Sequence, residues 1–351
     1  MRTALVALSV RGAMGQYLEA LARPLSERLE LHLFVPEHYD GDAGQAILHR
    51  FPTGRTRLEA LRQFLNPLSA KRIWKELRMV DPEGIHLFNG EGYPWGCLFA
   101  YWAKRDDKPF IITIHDPEPH PGNIIELLNA HLRRVTMIKA TRIHVHSTHF
   151  AGEIAKQGIS KQQLHVIPHG SIAGRFTRYL TKEVAREPMV LFFGRLEAYK
   201  GLDTLVEAGL MLGGKPKVAI AGPGKLPSNL LKVIHDQSAI FELHNRYLTD
   251  EDVARLFQRA SVCILPYHQV TQSSVPLIAA AFGVPVVGSA LGGFLDDIPR
   301  VNGLLVPSGD PRALAQGITK ALDLVPYYPR ELEFEELSNS FVTMYRSCLS
   351  S

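Results

Sequence analysis

"SVCILPYHQVTQSSVPLIAAAFGVPVVGS", residues 261–289, decides the fold. No Asp, Glu, Lys or Arg occurs between Arg259 and Asp296, so a membrane span, a buried core segment and an uncharged binding loop all need weighing. A spanning helix fails on physical grounds. Pro266, Pro276, Pro285, Gly283 and Gly288 would free backbone groups that lipid cannot satisfy. The segment divides instead into "SVCILPY", a buried strand, "SVPLIAAAF", a short apolar helix, and "VPVVGS", the next strand. Strand, loop, helix, strand is the repeating unit of a parallel sheet covered on both faces.

The same alternation extends in both directions. "TALVALSV", "LELHLFV", "GIHLF", "FIITIHD", "TRIHVHS" and "QLHVIPHG" read as strands before a charged, aperiodic break near Gly174–Glu187. "MVLFFGRL", "KVAIAGPG", "IFELHN", "SVCILPY", "VPVVGS" and "GLLVPSG" form a second series. Two series of six predict an α/β protein of two doubly wound, Rossmann-like parallel-sheet domains. The expected boundaries are an N-terminal domain 1–175, a linker 176–187, a C-terminal domain 188–328 and a final helix 329–351. That helix carries Phe334, Leu337, Phe341, Met344 and Tyr345 at helical spacing and is expected to pack across the domain junction.

Composition narrows the class. With 46% hydrophobic and 21% charged residues, the 351-residue chain is that of an ordinary soluble globular protein. Cys97, Cys263 and Cys348 are odd in number and lack metal-ligand spacing, which suits a reducing cytosol. The apolar start ends at Arg11 with no cleavage pattern after it, so a first strand is expected there rather than a leader. A net charge of +4 is too small to argue for nucleic acid. Its distribution is uneven: residues 1–175 carry 22 Lys+Arg against 17 Asp+Glu, and the remainder 17 against 18. Different partners are expected for the two halves.

Ligands of such sheets bind beyond the carboxyl ends of the strands. Arg195 and Lys200 follow the strand "MVLFF" and precede a helix, a placement that suits an anionic diphosphate. The alternative is surface pairing with Glu197 or Asp203. His115 and Asp116 end another strand, ahead of a Pro-rich loop. Gly12 and Gly15 flank a strand-to-helix turn, which serves close packing or a ligand equally well. His144 and His146 alternate onto one strand face near His149, yet no Cys or carboxylate completes a metal signature, and no metal is expected. Between 50 and 78, Arg50, Arg55, Arg57, Arg62, Lys71, Arg72, Lys75 and Arg78 interleave with Leu58, Leu61, Phe64, Leu65 and Leu68. Such a basic amphipathic stretch suits anionic lipid headgroups or an anionic glycan, and suits a solvated helix packed on the core as well.

Together, "FFGRLEAYKGLDTLVEA", "VAIAGPG", "LTDEDVARLFQRASVCILPY", "GVPVVGSALGGFLDDI" and "NGLLVPSGDPRALAQGI" resemble the C-terminal domain of family 4 glycosyltransferases of the GT-B fold, over roughly residues 188–322. "RGAMGQYLEALARPLSERLEL", "IITIHD" and "HVIPHG" resemble their N-terminal domain more loosely. The resemblance implies two domains facing across a cleft and transfer of a hexose from a nucleoside-diphosphate sugar with retention. The acceptor it implies is a glycan, a lipid-linked or a small molecule, and polysaccharide biosynthesis is the expected setting. It implies no cofactor, no metal and a cytoplasmic location, to which the basic stretch 50–78 adds an expected contact with the inner membrane face. Carried over by position, Arg195 and Lys200 hold the donor diphosphate with Gln272, Ser273, Ser274 and Gly15. Gly222, Gly224, Arg246 and Tyr247 lie around the nucleoside, and His115 and Asp116 are catalytic. The chain departs from the family at the Glu-x7-Glu pair, whose places fall on Val270 and Ile278; a subset with Thr-Gln-Ser in that loop shows the same departure. Two further classes stay open: a non-catalytic relative that binds a nucleotide sugar or a partner enzyme, and a dehydrogenase or epimerase. The dehydrogenase lacks its Gly-x-Gly-x-x-Gly after the first strand.

Overall fold

The computed structural model of the protein describes residues 1–54, 57–115, 124–182 and 184–349. Arg55 and Asp116 lie outside the described residues, as do the side chains of Arg57, Leu58 and Leu61. The chain forms two compact units, Met1–Gly170 with Glu331–Ser351, and Ser171–Arg330.

In the first unit, strands β1 (Arg2–Ala7), β2 (Glu30–Pro36), β3 (Ile47–Phe51), β4 (Gly84–Asn89), β5 (Phe110–Ile114), β6 (Arg142–Val145) and β7 (Leu164–Val166) make one parallel sheet. Its order is β3-β2-β1-β4-β5-β6-β7. Helices α1 (Ala13–Ser26), α2 (Arg57–Phe64), α3 (Pro67–Val80), α4 (Pro94–Arg105), α5 (Ile124–Lys139) and α6 (Thr148–Lys156) connect the strands. Seven strands stand where the sequence series has six. The addition is β3, an edge strand whose Ile47 and Leu48 are exposed, so it lacks the apolar run that marks its neighbours. By contrast β4 and β5 are buried at every position.

The first helix of the second unit is α7 (Gly174–Thr177), which straddles the boundary expected at 175/176. Arg175 and Arg178 pair with Asp250 at 2.8 and 3.3 Å and tie that stretch to this unit. There follow β8 (Met189–Phe193), α8 (Leu202–Leu212), β9 (Lys217–Ala221), α9 (Ser228–Asp236), β10 (Phe241–His244), α10 (Asp250–Arg259), β11 (Val262–Leu265), α11 (Val275–Ala281), β12 (Val286–Ser289), α12 (Phe294–Arg300), β13 (Leu304–Val306) and α13 (Pro311–Ala321). The strands are parallel in the order β10-β9-β8-β11-β12-β13. Local signals set the helix starts. Thr249 and Asp252 form a capping box at α10, and Asp310 caps α13; each such cap contributes about 1 kcal/mol.

Helix α14 (Phe334–Leu349) packs on α1 and β4 of the first unit, with Phe334, Leu337, Phe341, Met344 and Tyr345 all buried, as their spacing requires. No helix among the described residues is long and apolar enough to cross a membrane. The stretch 261–289 is β11, a loop, α11 and β12.

Candidate functional site

Strand order reverses between β8 and β11 in the second unit, and between β1 and β4 in the first. A crevice opens at such points, because the loops leaving the two strands run to opposite faces of the sheet.

Beyond β8 and β11 the two loops are laced together. Gly201 has φ 66°, and a Cβ there would lie 1.8 Å from the carbonyl oxygen of Pro266, so only glycine allows this approach. The backbone N–H of His268 donates to the Tyr199 carbonyl at 2.7 Å, and His268 Nε2 meets Asp203 Oδ1 at 3.0 Å. The lacing carries Lys200 over the Tyr267 ring, with Nζ 3.6 Å from its centroid. Burial, helped by the nearby Arg195 cation and opposed by Glu197, pushes the Lys200 ammonium down to about 7. Arg195 is exposed and already holds Glu197 Oε1 at 2.7 Å. Both readings of these cations are therefore partly met: Arg195 makes the surface pair, while Lys200 sits partly buried over an aromatic ring and pairs with neither Glu197 nor Asp203.

The loop between β11 and α11 continues the wall. Both amide atoms of Gln272 are buried without a hydrogen-bond partner. Ser273 Oγ accepts from the backbone N–H of Val275 at 3.4 Å, and Ser274 precedes α11 without a side-chain capping bond. Gly292 and Gly293 press against this loop: a Cβ would come within 1.9 Å of the Val270 carbonyl oxygen and 2.3 Å of that of Thr271. Val270 is half-buried and Ile278 lies in the core, so no carboxylate stands at either place. The α12 residue Asp297 has an unpartnered buried Oδ2, and burial pushes its carboxyl up to about 7.

Of the nucleoside candidates, Gly222 and Gly224 serve backbone packing. A Cβ at Gly222 would lie 2.0 Å from the Gly194 carbonyl oxygen, and one at Gly224 2.4 Å from that of Leu196. The Gly224 N–H donates to Asn245 Oδ1 at 3.1 Å. Arg246 is engaged by Asp252 at 2.7 Å, whereas the Tyr247 ring is 86% exposed and open to stacking. A cavity of about 410 Å³ lies beside these loops, lined by Leu196, Leu202, Lys225, Leu226 and Leu230.

In the first unit, Asn89 joins the two sides of the β1/β4 reversal. Its Oδ1 accepts from the N–H groups of Leu8 and Ser9 at 2.8 and 3.0 Å, and its Nδ2 donates to the Ser9 carbonyl at 2.7 Å. Gly15 packs its α-carbon on Val10, where a Cβ would lie 2.4 Å from the carbonyl oxygen. Just after β4, Glu91 and Arg133 form a buried pair at 3.8 Å. Sequence reading passed over Asn89, Glu91 and Arg133, because nothing local marks a residue whose partner comes from another strand.

His115 ends β5 with both ring nitrogens engaged. Nε2 contacts the Phe88 carbonyl at 2.8 Å and Nδ1 contacts His146 Nε2 at 3.1 Å. Burial holds its imidazole down at about 4. His144 and His146 do share a face, with ring centroids 4.6 Å apart, and the His169 ring lies tilted against that of His146 at 5.3 Å. Among the described residues no cluster of three His, Cys, Asp or Glu side chains is arranged to hold a metal ion.

Residues 14–171 match the family model Glycosyltransferase Family 4, and residues 187–323 match Glycosyl transferases group 1. A D-inositol 3-phosphate glycosyltransferase of Xylanimonas cellulosilytica is 27% identical over 63% of this chain and 60% of its own length. The putative teichuronic acid biosynthesis glycosyltransferase TuaC of Bacillus subtilis is 26% identical over 72% of this chain and 64% of its own. The chain thus spans less than two thirds of the length of these relatives. Among solved structures, sucrose-phosphate synthase from Thermosynechococcus elongatus superposes over all of both chains with a TM-score of 0.73 at 19% identity. Anabaena HepE, solved in complex with UDP, superposes with a TM-score of 0.69 at 16% identity, covering 100% of this chain and 98% of that one. These likenesses show the two-domain GT-B fold.

Proposed function

We propose that this chain, a GT-B fold whose two halves match glycosyltransferase family models, transfers a sugar from a nucleoside-diphosphate donor. The observation that carries the proposal is the laced β8/β11 crevice. A desolvated cation over Tyr267 and an unpartnered Gln272 amide stand there at the ends of a parallel sheet. In the proposed reaction the bond between the sugar's anomeric carbon and the donor phosphate breaks, and its electron pair leaves with the diphosphate. Lys200 and Arg195 stabilise the charge that develops. The acceptor oxygen bonds to the same carbon and gives its proton to the departing diphosphate. Retention of configuration, a hexose as the transferred group and independence from metal belong to this reading. So do a glycan, lipid-linked or small-molecule acceptor and a role in polysaccharide synthesis. A solved structure of the same fold that holds UDP supports the donor class.

The test is hydrolysis and transfer over a panel of UDP-, GDP- and ADP-sugars, with and without EDTA. Turnover of one donor, unchanged by EDTA, is expected. One observation favours a second reading, a nucleotide-sugar binder without turnover: Val270 and Ile278 offer no carboxylate. Tight donor binding with no turnover across the panel would establish that second reading.

The proposed location is the cytoplasmic face of an anionic membrane. Helices α3 and α4 line a groove of about 670 Å³ in which Lys71, Arg72, Lys75, Arg78 and Arg105 surround Leu68, Met79 and Trp102. Leu68 is 65% and Met79 77% exposed, so apolar and cationic groups face solvent together. Each cation held near an anionic surface contributes about 1 kcal/mol. Reversing Lys71, Arg72 and Lys75 to Glu is therefore expected to weaken binding to phosphatidylglycerol vesicles by at least about tenfold. Equal co-sedimentation of the wild type with phosphatidylglycerol and phosphatidylcholine vesicles would end the idea.

A further inference from the structure

Four neighbouring strand ends of the first unit carry two lines of buried hydrogen bonds. The first runs from Tyr345 Oη to His86 Nδ1 (2.8 Å), from His86 Nε2 to Thr113 Oγ1 (2.8 Å), from Thr113 Oγ1 to His144 Nδ1 (2.9 Å), and from His144 Nε2 to the Ile167 carbonyl (3.0 Å). The second runs from the Phe88 carbonyl to His115 Nε2 (2.8 Å), from His115 Nδ1 to His146 Nε2 (3.1 Å), and from His146 Nδ1 to the same Ile167 carbonyl (3.4 Å).

Counting protons separates the two lines. A carbonyl oxygen only accepts, and a neutral imidazole has one N–H and one bare nitrogen. In the first line, His144 Nε2 must donate to Ile167, so Nδ1 accepts from Thr113. The hydroxyl of Thr113 in turn accepts from His86 Nε2, whose Nδ1 accepts from Tyr345. Neutral groups satisfy every contact. In the second line, His115 Nε2 must donate to Phe88, which leaves Nδ1 bare. His146 Nε2 then donates to it, and His146 Nδ1 faces Ile167 without a proton. Two rings between two carbonyls are one proton short, and the shortfall falls on the longest contact, 3.4 Å.

We propose that His146 is a positioning residue: by donating from Nε2 to the bare Nδ1 of His115 it adds to the Phe88 carbonyl the second restraint that holds His115 in a single tautomer and ring orientation, and turnover depends on that arrangement. The turnover half rests on the proposed transfer reaction and on His115 acting in it; the ring-nitrogen half stands without either. Among the described residues, the titratable groups facing the pair are Tyr17 from α1, His144 from β6 and His169 from the segment after β7. None of these described groups is a carboxylate, so none of them supplies a fixed anion to compensate an added proton. Burial depresses proton affinity on both rings. The first added proton therefore belongs to the pair rather than to either ring and closes the contact to Ile167.

The experiment is histidine nitrogen NMR of the full chain from pH 8 to 5, on wild type, His146→Phe and His146→Gln, with donor kinetics on the same samples. In the wild type, His115 should show one bare and one protonated nitrogen. His146→Phe leaves the Phe88 carbonyl as the one remaining restraint and should admit a measurable second tautomer or ring orientation at His115, while the side-chain amide of His146→Gln keeps the donor and the single tautomer. His146→Phe should lose about tenfold to a hundredfold in kcat with donor KM within about twofold, and His146→Gln should recover most of it. Thermal melts identify a variant that fails to fold; His146→Gln and the wild-type spectra then still decide the tautomer. An unchanged His115 pattern in His146→Phe overturns the proposal, and so does a scrambled tautomer with full turnover. Absence of transfer in the wild type would fail the proposed reaction instead, while the spectra still decide the tautomer.

Discussion

Lys200→Ala is expected to lower sugar transfer by about a hundredfold or more, the scale of losing one charge stabiliser from a desolvated site. Arg195→Ala should cost less, about tenfold, because Arg195 is exposed and already paired with Glu197. The stronger signature is pH dependence. With its proton affinity pushed down to about 7, Lys200 is held as a cation against the cost of burial. A diphosphate placed beside it offsets that cost and returns the ammonium toward its ordinary range near 10.5. Binding then takes up a proton wherever the pH lies between the two values. Affinity for a nucleoside diphosphate should accordingly be flat below pH 7 and fall by about tenfold per pH unit above it. Titration calorimetry from pH 6 to 9 measures this slope, and Lys200→Ala should flatten it. A wild-type affinity constant across that range would remove Lys200 from the anion site.

Acid should unfold the first unit before the second. His86, His115, His144, His146 and His169 all have proton affinities lowered chiefly by burial, with His144 at about 3 and His115 and His169 at about 4. They are neutral in the fold, but in the unfolded chain they protonate below about 6.5. The unfolded state therefore binds more protons, so their stability contribution is complete above pH 6.5 and is lost as pH falls toward 4. By pH 5 each such group has lost about 2 kcal/mol, and two or three of them cancel much of the roughly 5–15 kcal/mol of an ordinary domain. In the second unit none of the three histidines is buried. There Asp297 has the opposite sign: raised to about 7, it stabilises the fold as pH falls from 7 to 4. Thermal melts at pH 7.5 and 5, followed by hydrogen exchange in each unit, should show the first unit losing protection while the second keeps it. Equal behaviour of the two units would contradict the assignment of these imidazoles as buried and neutral.

Much of the fold was legible because burial leaves a periodic trace. The strands of both series except β3 appear as apolar runs, since a parallel sheet covered on both faces admits little else. The helix at 334–349 announces its buried face by spacing alone. Edge strand β3 was not legible, because exposed Ile47 and Leu48 and the charged Arg50 look like the loop residues around them. The site was legible only as positions. Arg195, Lys200 and His115 could be placed at strand ends, and Val270 and Ile278 could be identified as departures from a carboxylate pair.

The sequence by itself determined the strand and helix series, the two-domain division and the uncharged character of the loop at 268–274. Each of these follows from composition and period along the chain. Tertiary structure alone decided that Lys200 lies on Tyr267, that Gln272 keeps an unpartnered amide, and that both nitrogens of His115 are engaged. Those facts depend on which strands are neighbours. Sheet order brings β8 beside β11 and β5 beside β6, and the chemistry of a strand-end residue is set by its partner on the adjacent strand, however distant that partner is in sequence.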